Sequence, residues 1–197
     1  MAANKAQRTL LLALALTFAS CAGQMPRGSA SPAALASALT ALSPSVNPEE
    51  ARRAADCAYV TSARLAREYG IVGWAIFNNG LINTGLRNRG LCYHYTEDML
   101  LAFKPLELKT LTVHWAIAHP GNMMESNALV LTARGQPLEQ GIVLDGWRHA
   151  GRLYWNAAAV DTAFGWHEDT SDYARQKMAD FARATGKSRE RGGATSR

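Results

Sequence analysis

Small and apolar positions recur every three to four residues through Ala51, Ala55, Ala58, Ser62, Leu65 and Tyr69, which predicts an amphipathic helix. Asn47-Pro48-Glu49-Glu50 supplies its start: a capping Asn, Pro in the first helical position and acids in the first turn. Gly70 supplies the stop. Residues 71–90 are rich in Gly and Asn and read as a long structured loop. A second helix is predicted from about Leu91 to Phe103, ended by Lys104-Pro105. The period then changes from 3.6 to 2. Leu111, Val113, Trp115 and Ile117 fall on one face, and Thr110, Thr112, His114 and Ala116 on the other. Asn127–Ala133 and Gly141–Trp147 are further strands joined by a hairpin, and Arg152–Trp155 is a fourth. Asp172–Thr185 reads as a closing helix, with Ala174, Met178 and Phe181 on one face. Helices set before antiparallel strands predict an α+β fold, with N-terminal helices packed on a small antiparallel sheet.

The first twenty residues follow another logic. Lys5 and Arg8 precede a nine-residue apolar stretch, Leu10–Phe18, and then the small residues Ala19 and Ser20. That is the layout of a secretory signal peptide, and the run is well short of the roughly 20 residues that span a bilayer. Phe18-Ala19-Ser20-Cys21 resembles the lipobox of bacterial lipoproteins, in which the cysteine is acylated and the signal removed before it. The resemblance implies a lipid anchor on Cys21; Ala22, which is not Asp, implies an outer-membrane position facing the periplasm. An ordinary signal peptide cut nearby is the alternative. Residues 21–46, rich in Ala, Ser and Pro, read as a tether in which Ala33–Leu42 forms a short helix with nothing obliging it to pack. Residues 47–186 are the expected folded domain, and 187–197 a disordered basic tail.

This partition changes the meaning of the charge. The formal net charge of +5 resides in the two ends, Lys5 and Arg8 at one and the 187–197 segment at the other. The body between them is neutral, which argues against nucleic acid as a partner. The chain has no His-x-x-x-His, no paired-cysteine motif and no glycine-rich phosphate loop, so no metal or other cofactor is expected.

Candidate chemistry centres on Asn88-Arg89-Gly90-Leu91-Cys92, which delivers a cysteine to the first turn of a helix. Unpaired N–H groups and the helix dipole favour a thiolate there. Such a nucleophile needs a base within reach and a group to orient that base. His114, His119, Glu125, Asn127 and Asp145 follow on the strands. On NRGLC, ESNALVLTA and GIVLDGWR, the stretch Leu81–Trp155 resembles the transglutaminase-like branch of the papain-like thiol hydrolases. The resemblance implies that fold, with Cys92 as nucleophile, Asp145 as orienting carboxylate, and a peptide or cell-wall amide as substrate. It also implies a histidine opening the strand Asn127–Ala133, where this chain has Glu125-Ser126-Asn127. Serine is no base at neutral pH. His114 is then the base candidate, with His119 behind it; otherwise the chain is a non-catalytic relative that binds or assembles.

Other uses of these residues stay open. Cys57 and Cys92 are the thiols left once Cys21 is acylated, and a bridge between them would add roughly 3–4 kcal/mol. Cys92 is otherwise a reactive thiol or a buried inert one. Asp145 is alternatively a strand-end turn with an exposed Arg148. His94 and His149 are expected at the surface, and His167 along a cleft.

Overall fold

The computed structural model describes residues 31–193, with side chains to Gly186. The anchor and signal readings, on residues 1–30, lie outside the described residues. Among the described residues five α-helices and five strands form a mixed α+β fold. Helices α1 (Pro32–Thr40), α2 (Pro48–Glu68), α3 (Ala75–Asn83) and α4 (Cys92–Phe103) precede β1 (Leu111–Ala118), β2 (Ser126–Ala133), β3 (Ile142–Asp145), β4 (Tyr154–Ala157) and β5 (His167–Glu168). Helix α5 (Asp172–Gly193) closes the chain. The sheet is antiparallel throughout, in the order β4-β3-β2-β1-β5.

Alternation sorts the sheet into two faces. Val113 and Trp115 of β1, Leu129 and Leu131 of β2, Leu144 of β3 and Trp155 of β4 pack against the helices. Ala116, Ala128, Val130 and Val143 face a smaller cluster covered by Leu138, Ala158 and Trp166 from the loops. Strand β2 is therefore buried along its whole length. That explains why ESNALVLTA shows no polar alternation.

The start of α2 is built as the sequence predicts: the Asn47 side chain accepts from the Glu49 and Glu50 backbone N–H groups. The buried Glu50 carboxylate then reaches the opening of β1. It accepts the N–H groups of Lys109 at 2.9 Å and of Thr110 and Leu111 at 2.8 Å. Burial pushes this carboxyl up, but the three donors outweigh it and hold it below its ordinary value of 4.5. Gly151, in the left-handed region after Ala150, lets the β3–β4 turn press on α2, where a Cβ would lie 2.0 Å from that of Ala66.

Four expectations change. Helix α1 belongs to the fold, because Leu35 and Leu39 are fully buried in the helix-side core; the packed body therefore includes residues ahead of 47. The loop at 71–90 contains α3, which has no side-chain cap at Trp74 and so carries no start signal. A fifth strand of two residues, β5, pairs with the outer edge of β1. Helix α5 continues to Gly193, so the backbone of 187–193 is helical.

Candidate active site

Gly90, in the left-handed region at φ 132°, turns the chain into α4, and a Cβ there would lie 3.1 Å from Ile71. The entry is fixed by His94, whose Nδ1 accepts the N–H groups of Gly90 and Leu91, both at 3.2 Å. His94 is buried, not on the surface as the sequence suggested. Burial, followed by the nearby Arg89, pulls its imidazole below the ordinary value, so it rests neutral with the proton on Nε2.

Cys92 is the first residue of α4, half-buried against the opening of β2. Its thiol donates to the Glu125 carbonyl at 3.7 Å, and the Asn127 Nδ2 donates to its sulfur at 4.0 Å. Asn127 also offers its backbone N–H. The amide cannot turn round, because Trp115 Nε1, which only donates, is bonded to Asn127 Oδ1 at 2.7 Å. Asn127 can thus steady the sulfur but cannot take its proton. Burial raises the thiol above its ordinary value, the charge of Asp145 adds to this, and the surrounding N–H donors offset only part of it. The helix start does not deliver the thiolate expected from sequence. Desolvation outweighs the N–H donors of Asn127 and Tyr93.

Ser126 sits between the two residues that hold the thiol, pairs with Ala118 and is buried. By alternation its side chain points with Ala128 to the face away from the helices, the face to which Asp145 also belongs. Asp145 is 1% exposed. Its Oδ1 accepts the N–H groups of Trp147 and Arg148 at 2.9 Å, and its Oδ2 accepts Arg148 Nε at 3.0 Å. Burial pushes the Asp145 carboxyl up against the pull of these donors. Arg148, expected to be exposed, is instead enclosed. It lies over the rings of Tyr154 and Phe164, at 3.9 and 3.6 Å to their centroids, and grips Asp161 with both terminal nitrogens. Asp145 therefore closes a strand-end knot with Arg148 and orients no histidine.

None of the histidines meets the sulfur. His114 points to the face opposite the helices, its Nδ1 donating to Glu168 and its Nε2 bonded to the Thr132 hydroxyl at 2.9 Å. The proposed Cys92–His114 pair is not formed, because alternation along β1 turns position 114 away from α4. His119 donates from Nε2 to the Ala163 carbonyl. His149 packs edge-on against Tyr154. His167 does line a cleft of about 590 Å³, together with Tyr93, Ile117, Glu125, Asn127 and Tyr173. Its Nδ1 donates to the Gly165 carbonyl at 3.2 Å. The registers set Asn127, Ile117 and His167 side by side across β2, β1 and β5, so two strand spacings, roughly 10 Å, part His167 from Asn127.

Cys57 and Cys92 are both free. Cys57 faces α4 through the Ala102 carbonyl, and burial raises its thiol above the ordinary value. Among the described residues, no three of His, Cys, Asp and Glu converge as a metal site would require. Sequence reasoning missed Asn127 as the sulfur's neighbour and Tyr173 as a cleft wall. The first was legible from alternation, since Asn127 shares the face of Leu129; the second depends on where α5 lands. No family model, curated protein or solved structure matches the chain.

Proposed function

We propose that this chain is a lipid-anchored protein of the bacterial cell envelope, held at the outer membrane through Cys21, whose domain is a non-catalytic relative of the transglutaminase-like thiol hydrolases. The order of helix-start cysteine, β1, β2 and an aspartate ending β3 supports the resemblance. One observation carries the loss of catalysis: the side chain bonded to the thiol is Asn127, an amide held as a donor, and no described histidine is bonded to a sulfur that burial keeps protonated. The cleft beside it is the binding surface. Its tyrosine walls and its floor of Asn127, Ile117 and His167 suit an extended peptide or cell-wall strand that offers amides to Asn127 and flat apolar faces to the rings.

The test pairs turnover with binding. Protein carrying Cys21→Ser is expected to bind stem-peptide fragments of the cell wall by calorimetry, with affinity reduced by Asn127→Ala and by Tyr93→Ala, and to release no product from amide substrates. Amide hydrolysis by the otherwise unaltered protein, abolished by Cys92→Ala, would overturn the proposal in favour of an active thiol hydrolase.

A further inference from the structure

From Ile71 to Leu86 the chain carries sixteen residues without a charge. This stretch holds α3, of which only Ala75 and Asn78 are buried. Val72, Trp74, Ile76, Phe77 and Leu86 are between 50% and 74% exposed. Scattered apolar residues at a surface are ordinary, but five large ones in one short segment are not.

The segment is held in shape by a polar clasp. The side chain of the fully buried Asn78 accepts from the Val72 N–H at 3.1 Å and donates to the carbonyls of Val72 and Trp74, both at 2.8 Å. Arg87 donates to the same side chain at 2.6 Å, and its backbone N–H bonds the Leu81 carbonyl. The apolar side chains are thus presented outward by a fixed backbone.

Arginines stand on both flanks. Arg64 is paired with Glu68, and Arg89 with Glu97 and Asp98. Arg67 and Arg87 have no ion-pair partner among the described residues, and the Arg87 guanidinium lies 3.9 Å from where a Cβ on Gly70 would sit, at the junction of α2 and this segment. We propose that residues 72–86 form a bilayer-contacting surface, with Trp74, Ile76 and Phe77 entering the headgroup boundary and Arg67 and Arg87 meeting anionic lipid phosphates. An uncharged apolar centre with an arginine rim complements such a surface. A second copy packed two-fold on the same patch would set one arginine rim against the other. Chain length permits this: the ten residues from Cys21 to Ser31 reach at most about 36 Å, so an acyl chain on Cys21 would hold the domain within that distance of a bilayer. The surface acts without that acyl chain, so its test is separate from that of the anchor.

The experiment uses the full chain with Cys21→Ser, which cannot be acylated, and vesicles of phosphatidylglycerol and phosphatidylethanolamine against vesicles of phosphatidylcholine alone. The protein is expected to sediment with the anionic vesicles with a blue shift of tryptophan emission, and more weakly as salt is raised. Trp74→Ser and Phe77→Ser, both at exposed positions, should each weaken binding by about tenfold. Arg87→Gln, which retains a donor for Asn78, should weaken binding to the anionic vesicles only. Absence of sedimentation, or sedimentation unaltered in the Trp74→Ser/Phe77→Ser double variant, overturns the proposal. So does a dimer in sedimentation velocity that the same double variant dissolves, which would assign the surface to a second copy.

Discussion

Replacing Ser126 by histidine asks whether one residue separates this domain from a working thiol hydrolase. The new imidazole would leave β2 on the face of Ala128 and Asp145, turned away from α4 and its thiol as His114 is. Asp145 already accepts three N–H bonds, which leaves about one of a carboxylate's four acceptor positions for an imidazole N–H. General acid–base help is worth about 10²–10⁴-fold, and an imidazole turned away from the sulfur supplies none of it, so amide turnover should stay at background. The cost is steric. Ser126 is buried, and overpacking of a filled site costs about 1–3 kcal/mol, eased here because its neighbours Ala118 and Ala128 are small. Amide and ester hydrolysis at neutral pH would be followed beside the pH profile of Cys92 alkylation by iodoacetamide, whose midpoint should stay where it is in the parent. A Ser126→His protein that keeps its stability in urea within about 3 kcal/mol of the parent, gains amide turnover that Cys92→Ala abolishes, and alkylates at lower pH would refute the geometry argued for position 126.

Two further outcomes are expected. Glu50→Ala strands three N–H groups at the opening of β1, and at about 1–3 kcal/mol for each unsatisfied donor it should lower stability by roughly 3–9 kcal/mol in urea titration, much more than exposed Glu139→Ala. His94 and His149 both have folded-state values pulled below 6.5, so the unfolded chain takes up protons first. Their contribution is whole above about pH 6.5 and is lost as pH falls toward the folded values; denaturation at pH 7.5 and 5.5 should show the loss, and His94→Gln should lessen it.

Where the sequence was legible, the signal was local. Asn47-Pro48 marked α2, and strict alternation in Leu111–Ile117 marked β1 to within a residue. What stayed hidden depended on distant partners. Helix α1 looks like a tether because its residues are small and uncharged, and only the core formed by α2 and β2 gives Leu35 and Leu39 a place to go. Nothing marks α3, with no capping side chain at its start and Gly80 inside it. The site was legible in part. The thiol meets the opening of β2 through the Glu125 carbonyl and Asn127, and Glu168, one partner of His114, arrives on β5, a two-residue strand without periodicity. Asp145 was plausible as an orienting group until Arg148 was seen to occupy it, and that depends on Tyr154 and Phe164 closing over the guanidinium.

The packing of α1 has a mechanical consequence. Any load borne by the chain ahead of Ser31 enters the domain through this one nine-residue helix, held by Leu35, Ala38 and Leu39 and, just after it, by a bond from Gln136 to the Leu42 carbonyl. The anchorage on α2 comes next, where Asn47 donates to Thr110 and Glu50 grips the opening of β1. Under tension α1 should peel first and act as a fuse. Converting its nine residues from a rise of 1.5 Å to nearly extended chain releases about 17 Å of slack, while the thiol, the cleft and the sheet behind Glu50 stay intact.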